Sequence, residues 1–174
     1  MFTSIPRYTQ VSGSSVYPAP DGQPTETPAA IDCDVTLPTI GHPTTDVSMC
    51  GTYSVADQTR VDNLELSISC GTNKEALELL KYESFIIRFV QQVENPQKNG
   101  MTDYEQFTVY ASGHVSSSGG SSLAIGGSPD GNITISCLRY RLLQGDVELI
   151  NIDRLAGRIM INGVDKRTRI NSLL

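Results

Sequence analysis

Nucleophilic, acid–base and metal chemistry each demand particular residue types at particular spacings, and this chain of 174 residues holds few of them. Its two histidines, His42 and His114, stand far apart, and neither falls in an HExxH or comparable ligand spacing. Both read as surface or interface residues. The four cysteines, Cys33, Cys50, Cys70 and Cys137, form no CxxC pair, which excludes a zinc knuckle and a thioredoxin-type motif. They read as buried, reduced thiols; chain length alone permits a disulfide between any two, and the expected cytosolic setting argues against one. The serines lie in low-complexity runs, and no GxSxG elbow holds one of them strained beside a base. GGSSLAIGGSPDG has the glycines of a phosphate loop but lacks the Lys-Ser/Thr ending, and no helix pattern follows it. It is expected to be a hairpin tip. Asp103 with Glu105, and Asp146 with Glu148, are carboxylate pairs at strand spacing, each pair on one face; with no apolar pocket evident to raise a pKa, they read as solubilising acids. Asn132-Ile133-Thr134 matches a glycosylation acceptor, which is irrelevant to a cytosolic chain. The expectation is therefore of no enzyme, no catalytic or metal-ligating residues and no cofactor.

What remains is a scaffold, and its pattern is that of strands. The length suits one domain, and a hydrophobic fraction of 39% can build a core without staples. No apolar run approaches a membrane span, and the opening residues lack the apolar core of a secretory signal, so cytosolic synthesis is expected. In LELSISC, Leu64, Leu66, Ile68 and Cys70 alternate with Glu65, Ser67 and Ser69, as a sheet with one buried face requires. FTVYASGHV repeats this, with Phe107, Val109, Ala111 and Val115 inward and Thr108, Tyr110, Ser112 and His114 outward. SFIIRFVQQV, NITISCLRYRLL, VELINI and RIMING are further strand candidates. In the second of these the apolar phase slips between Cys137 and Leu138, which predicts a bulge or bend. Thr72-Asn73-Lys74-Glu75 is a capping box, after which Ala76, Leu77 and Leu80 recur at helical spacing; one short helix is expected to cover an open edge or end of the sheet. Residues 116–131 have the composition of a long hairpin tip, and Asp130-Gly131, Gln144-Gly145-Asp146 and Asn162-Gly163 are turn signals.

Charge is distributed unevenly. The net charge of -6 opposes grip on a phosphate backbone, which needs clustered Lys and Arg. Residues 1–58 hold one base, Arg7, against Asp21, Glu26, Asp32, Asp34, Asp46 and Asp57. Residues 154–174 hold Arg154, Arg158, Lys166, Arg167 and Arg169 against Asp165 alone. Opposite signs at the two ends suit head-to-tail contact between identical subunits. The first thirty residues, rich in Ser, Pro, Gly and Thr, show neither helical nor strand period and read as an arm with no core of its own.

The segment LRYRLLQGDVELINIDRLAGRIMINGVDKRTRINSLL resembles the C-terminal end of the major tail tube proteins of contractile-tailed phages. In that family a Tyr-Arg strand leads into a hydrophobic-acidic strand, an Asn-Gly-Val-Asp turn and a basic tail. The matching residues are Tyr140, Arg141, Glu148, Ile152, Asp153, Asn162, Gly163, Val164, Asp165 and Arg167. Upstream, VTLPTI, with Val35, Thr36, Leu37 and Pro38, resembles the strand that opens the family's barrel after its arm. The strand, short helix, strand order over residues 64–93 fits as well. The resemblance covers the chain from about Asp32 to its end.

The resemblance implies a mainly β subunit, a barrel or sandwich with one short helix. Its parts are an extended arm over 1–31, a β-barrel tube domain over 32–164 and a basic tail over 165–174. It implies hexameric rings stacked into a tube, with a tail sheath outside, tape-measure protein and DNA transiently in the lumen, and a baseplate and tail terminator at the ends. The place is the virion tail, assembled in the host cytoplasm without a membrane span. Residues 41–57 are then expected to project between rings, with Met49, Tyr53 and Val55 on the neighbour. Glu65, Ser67, Thr108 and Ser112 are expected to line a lumen whose carboxylates and hydroxyls let DNA slide. A DNA-free phage-tail-like injection device is the near alternative, and a monomeric ligand-binding β module with the Ser/Gly loop as its tip is the distant one. An aromatic content of 6% without Trp argues against a carbohydrate platform.

Overall fold

The computed structural model describes residues 7–71, 74–94, 102–118, 125–126 and 130–174. The fold is mainly β. Long alternating runs become long strands: β6 (Glu65–Gly71), β7 (Ser84–Glu94), β8 (Thr102–Ser118), β9 (Asp130–Gln144) and β10 (Val147–Asp153). With β1 (Arg7–Pro18), β2 (Ala30–Ile31), β3 (Asp34–Thr36), β11 (Arg158–Ile161) and β12 (Val164–Asp165) they form one ten-stranded antiparallel sheet. Its main path runs β12-β11-β10-β9-β8-β7-β1-β2, and β6 and β3 branch from β9. A second sheet is the lone hairpin of β4 (Thr44–Ser48) and β5 (Thr52–Ala56).

The branch is the phase slip between Cys137 and Leu138. β8 runs along one edge of β9 from Ile133 to Gln144, whereas the other edge pairs with β6 over residues 130–136 and with β10 over 139–144. Ser112 faces Arg139 and Gly113 faces Cys137, so Leu138 is the extra residue of a bulge. Its neighbours divide the backbone bonds: the Cys137 N–H donates to the Leu64 carbonyl at 2.8 Å, and the Arg154 N–H donates to the Leu138 carbonyl at 3.0 Å. Gly113 makes the close approach possible, since a Cβ there would lie 1.9 Å from the Ser136 carbonyl oxygen.

The core lies on one face of this sheet. Leu64, Leu66 and Ile68 of the β6 side pack with Val16, Phe85, Ile87, Val109, Ile135, Tyr140, Ile152 and Ile159. Thr108, Tyr110, Ser112 and His114 point away from it, as alternation predicts. The Asn162-Gly163 step is a tight turn with both residues at positive φ, 48° and 76°, joining β11 to β12.

Four expectations are corrected. Residues 7–31 are not an arm without a core: β1 pairs with β7 over its whole length, and Val16, Ala19 and Ala30 are buried. Backbone pairing asks little of side-chain period, so a Ser/Gly-rich strand escapes pattern reading. The sheet does not close into a barrel among the described residues: pairing stops between β2 and β3, where Asp32 sits at φ 52° and the chain turns from the edge of β1 to the edge of β6. VTLPTI accordingly contributes only Val35 and Thr36 to the three-residue β3, with Val35 opposite Ile68 and Leu37 packed on the core, and it follows two earlier strands.

The helix is present, α1 (Lys74–Glu78), but Leu77 is 52% exposed and Leu79 fully buried. The helix tightens into a 3₁₀ turn at Leu79–Lys81, and at three residues per turn the inward face rotates onto Leu79. Thr72 and Asn73 of the capping box lie outside the described residues, as do 119–124 and 127–129 of the Ser/Gly stretch; the strands flanking that stretch do pair as a hairpin. The basic tail carries a single helical turn, α2 (Thr168–Asn171).

Candidate functional site

Three surfaces stand out because the subunit leaves them unused. The first is the β4–β5 hairpin. Its pairs Val47 with Tyr53 and Thr45 with Val55 put one face of apolar and methyl-bearing groups together, while Asp46 and Ser54 hydrogen-bond on the other. Met49 lies at the tip, beside Cys50 at φ 49° and Gly51 at φ 132°. Met49, Tyr53 and Val55 are 71%, 51% and 45% exposed, and neither strand pairs outside the hairpin among the described residues. An isolated two-stranded hairpin is marginal in water, so this one is held at its root. The Asp57 N–H donates to the Pro43 carbonyl and the Asp62 N–H to the Gly41 carbonyl, both at 2.9 Å. Thr59 donates through its N–H and hydroxyl to Asp57, which holds that carboxyl below its usual range. Arg154 donates to the Val61 and Asp62 carbonyls and ties the root to the β10–β11 turn. The His42 Nδ1 lies 2.6 Å from the Arg60 carbonyl oxygen.

Beside that root is the second surface, a cleft of ≈ 270 Å³ on which Arg60, Arg154, Arg158 and Arg167 converge. Asp153 is the acid among its lining residues, and its carboxylate already meets Arg139 at 3.1 Å and the Leu155 and Ala156 N–H groups. The Arg167 Nε is buried with no hydrogen-bond partner, an arrangement that favours an incoming acceptor. Sequence reading found the basic tail but not Arg60, which only the fold brings to it.

The third surface is the face of the sheet away from the core, and it carries all four residues expected to line a channel. Across β6, β9 and β8, Glu65 faces Ser136 and Ser136 faces His114; Ser67 faces Thr134 and Thr134 faces Ser117. This half is a carpet of hydroxyls and amides: Ser67 donates to Asn132 at 2.7 Å, Ser136 to Asn63 at 2.9 Å, and Asn63 to Glu65 at 2.9 Å. His114 lies 3.7 Å from Glu83 in the open. Beyond the bulge the character changes. Thr108 and Ser112 share their half with Arg88, Arg139, Arg141 and Arg158. Arg88 stacks over Tyr17 and Arg141 over Tyr110, at 5.1 and 5.7 Å from the ring centroids. Arg141 also pairs with Glu148; slight burial opposes ionisation, but hydrogen bonds from Asn151 and Arg141 outweigh it and hold that carboxyl low.

The remaining sequence-marked residues are structural. Tyr140 is buried, and burial pushes its hydroxyl up to about 12; Cys33 and Cys137 are buried, and burial pushes their thiols up to about 11. All four cysteines are free, but the expectation that all are buried fails for Cys50, exposed at the hairpin tip, and Cys70 is only partly covered. Asp165 accepts the Arg167 N–H at 2.8 Å, Asn162 and Gly163 form the turn before β12, and Val164 pairs with Ile161. Glu105 accepts the Tyr8 hydroxyl at 2.7 Å. Among the described residues no group of three or more His, Cys, Asp or Glu is placed to hold a metal ion, and no helix is long and apolar enough to cross a membrane.

Residues 28–174 match the sequence model of a family described as phage tail tube protein FII. No curated protein matches the chain.

Proposed function

The chain belongs to the phage tail tube protein FII family, a structural component of viral tails and not an enzyme, and from that premise we propose that it forms the inner tube of a contractile tail as stacked hexameric rings that conduct DNA. The observation that carries the reading is the β4–β5 hairpin. An apolar face displayed on a hairpin that pairs with no other strand among the described residues of its own subunit is a surface built for another copy. Met49, Tyr53 and Val55, with Val47 between them, are the residues that meet the next ring.

Two further features support the same reading. From Arg7 to Gly13 the second edge of β1 pairs with no strand among the described residues, and a neighbour's strand in the ring satisfies it. The arginine cleft at the hairpin root, with Arg167 in it, then receives carboxylates from the acid-rich N-terminal third of a neighbouring copy. The sheath packs outside, tape-measure protein and DNA occupy the lumen in turn, and baseplate and terminator close the ends.

Of the expected lumen residues, Glu65 and Ser67 fit best. Their half of the outward face offers the Glu65 carboxylate among hydroxyls and amides, with Glu83 beside His114, and such a surface repels or ignores phosphate. Thr108 and Ser112 stand among arginines, where phosphate would stick, and they line the channel only at its margin. Electron microscopy of the purified full-length protein tests assembly: rings or tubes are expected, and a strict monomer at high concentration overturns the reading. Particles carrying Glu65→Lys are expected to be normal in form but to deliver DNA less efficiently; unchanged delivery removes Glu65 from the lining.

A further inference from the structure

Cys33 and Cys70 were separate thiols in the sequence, but the fold makes them neighbours. The register that sets Asp34 opposite Ser69 and Val35 opposite Ile68 sets Cys33, one residue earlier, opposite Cys70. Both side chains fall on the core face with Val35 and Ile68, and the two thiols are near enough for each to influence the other's ionisation. Residues directly opposite in an antiparallel pair have Cα atoms about 4.5–5.5 Å apart, inside the roughly 4.4–6.8 Å that a disulfide spans. Cys33 also lines a cleft of ≈ 250 Å³ between β1, β7 and the β3 segment, whose other walls include Val11, Leu37 and Phe89.

Their position has structural meaning. Among the described residues the circuit β9-β8-β7-β1-β2 and β3-β6-β9 is broken only where pairing stops at Asp32 and Cys33. The chain from Cys33 to Cys70 also contains the whole β4–β5 excursion, so a bond between them would close that loop at its base.

We propose that Cys33 and Cys70 are a cross-strand disulfide site, reduced in the cytosol and oxidised by low-molecular-weight disulfides once the protein is outside it. Thiols persist in reducing compartments and couple in oxidising ones, and a tail component passes from the first to the second. The step balances as thiol–disulfide exchange. Cys70, the more exposed of the two, loses its proton and attacks one sulfur of a small disulfide, forming a mixed disulfide; the displaced thiolate takes up a proton. Cys33 then loses its proton and attacks the Cys70 sulfur, expelling the second small thiol. Two electrons pass from the cysteines to the small disulfide, and two protons end on the two released thiols. Burial of both sulfurs makes the exchange slow.

The test uses the full chain as single subunits, so it stands or falls independently of tube formation. A Cys50→Ser background removes the exposed thiol that would link subunits. Trypsin then separates Cys33, in peptide 8–60, from Cys70, in peptide 61–74. Incubation with oxidised glutathione is expected to lower the free thiols from three to one, to link those two peptides, and to raise the melting temperature by roughly 5–15 °C, reversibly with dithiothreitol. Adding Cys70→Ala is expected to abolish the rise. Three thiols persisting, a link to Cys137 instead, or a rise that survives Cys70→Ala would each overturn the proposal.

Discussion

The β4–β5 hairpin and the β8–β9 pair are made in the same way, from two antiparallel strands, but their surroundings are opposite. Every hairpin residue is exposed except the half-buried Val47, whereas β8 and β9 carry Val109, Ala111, Ile135, Cys137 and Tyr140 into the core. β9 is paired on both edges, and its second edge serves two different strands. Among the described residues the hairpin is paired only with itself. The contrast separates two jobs that one sheet would otherwise confound: residues around the branch decide whether the subunit folds, and residues on the hairpin decide what it meets after folding.

Breaking the branch should have the largest effect. Gly113→Ala places a Cβ against the Ser136 carbonyl, and backbone cannot yield as a flexible side chain would. The expected cost is about 3 kcal/mol or more, read as a lower urea midpoint at unchanged slope. A variant that unfolds with the wild type would show that the bulge does not organise the fold. The alkaline limb comes next. An unfolded tyrosine ionises near 10, whereas burial keeps Tyr140 protonated to about 12. The stability this burial leaves intact below pH 10 is therefore lost as pH rises toward 12, by roughly 2–3 kcal/mol. Tyr140→Phe should flatten the loss over that window, and an unchanged slope would remove Tyr140 as its source.

The smallest effect on stability is expected at the hairpin. Tyr53→Ser with Val55→Ser should leave the melting curve within about 0.5 kcal/mol of wild type while abolishing the rings or tubes seen by sedimentation and microscopy. A large loss of stability would place the hairpin with the core and erase the contrast.

The same contrast explains what could be read in advance. Leu64, Leu66 and Ile68 announced β6 because one buried face imposes alternation, and the slip at Leu138 was visible because a bulge shifts that alternation by one. β1 was invisible because Gly13, Ser14 and Ser15 pair through backbone, which writes nothing into side-chain pattern. The inward turn of the helix was misassigned because a switch from 3.6 to 3 residues per turn, after only five residues, is a packing outcome and not a local preference. At the candidate interface, Tyr53 and Val55 were proposed through family resemblance alone. The arginine cleft and the Cys33–Cys70 pairing were not, because each joins residues distant in sequence.

The forked attachment of β9 also has a mechanical consequence. Arg154 ties the hairpin root to the end of β10, so a pull on the hairpin reaches β10 and passes along its ladder with β9. Antiparallel bonds lie across the strands, so tension directed along them is shared by many bonds at once and must shear the ladder instead of unzipping it one rung at a time. The β6 ladder on the other half of β9 is loaded separately, from Leu64 onward. One strand thus anchors two load paths, and slack in one need not loosen the other.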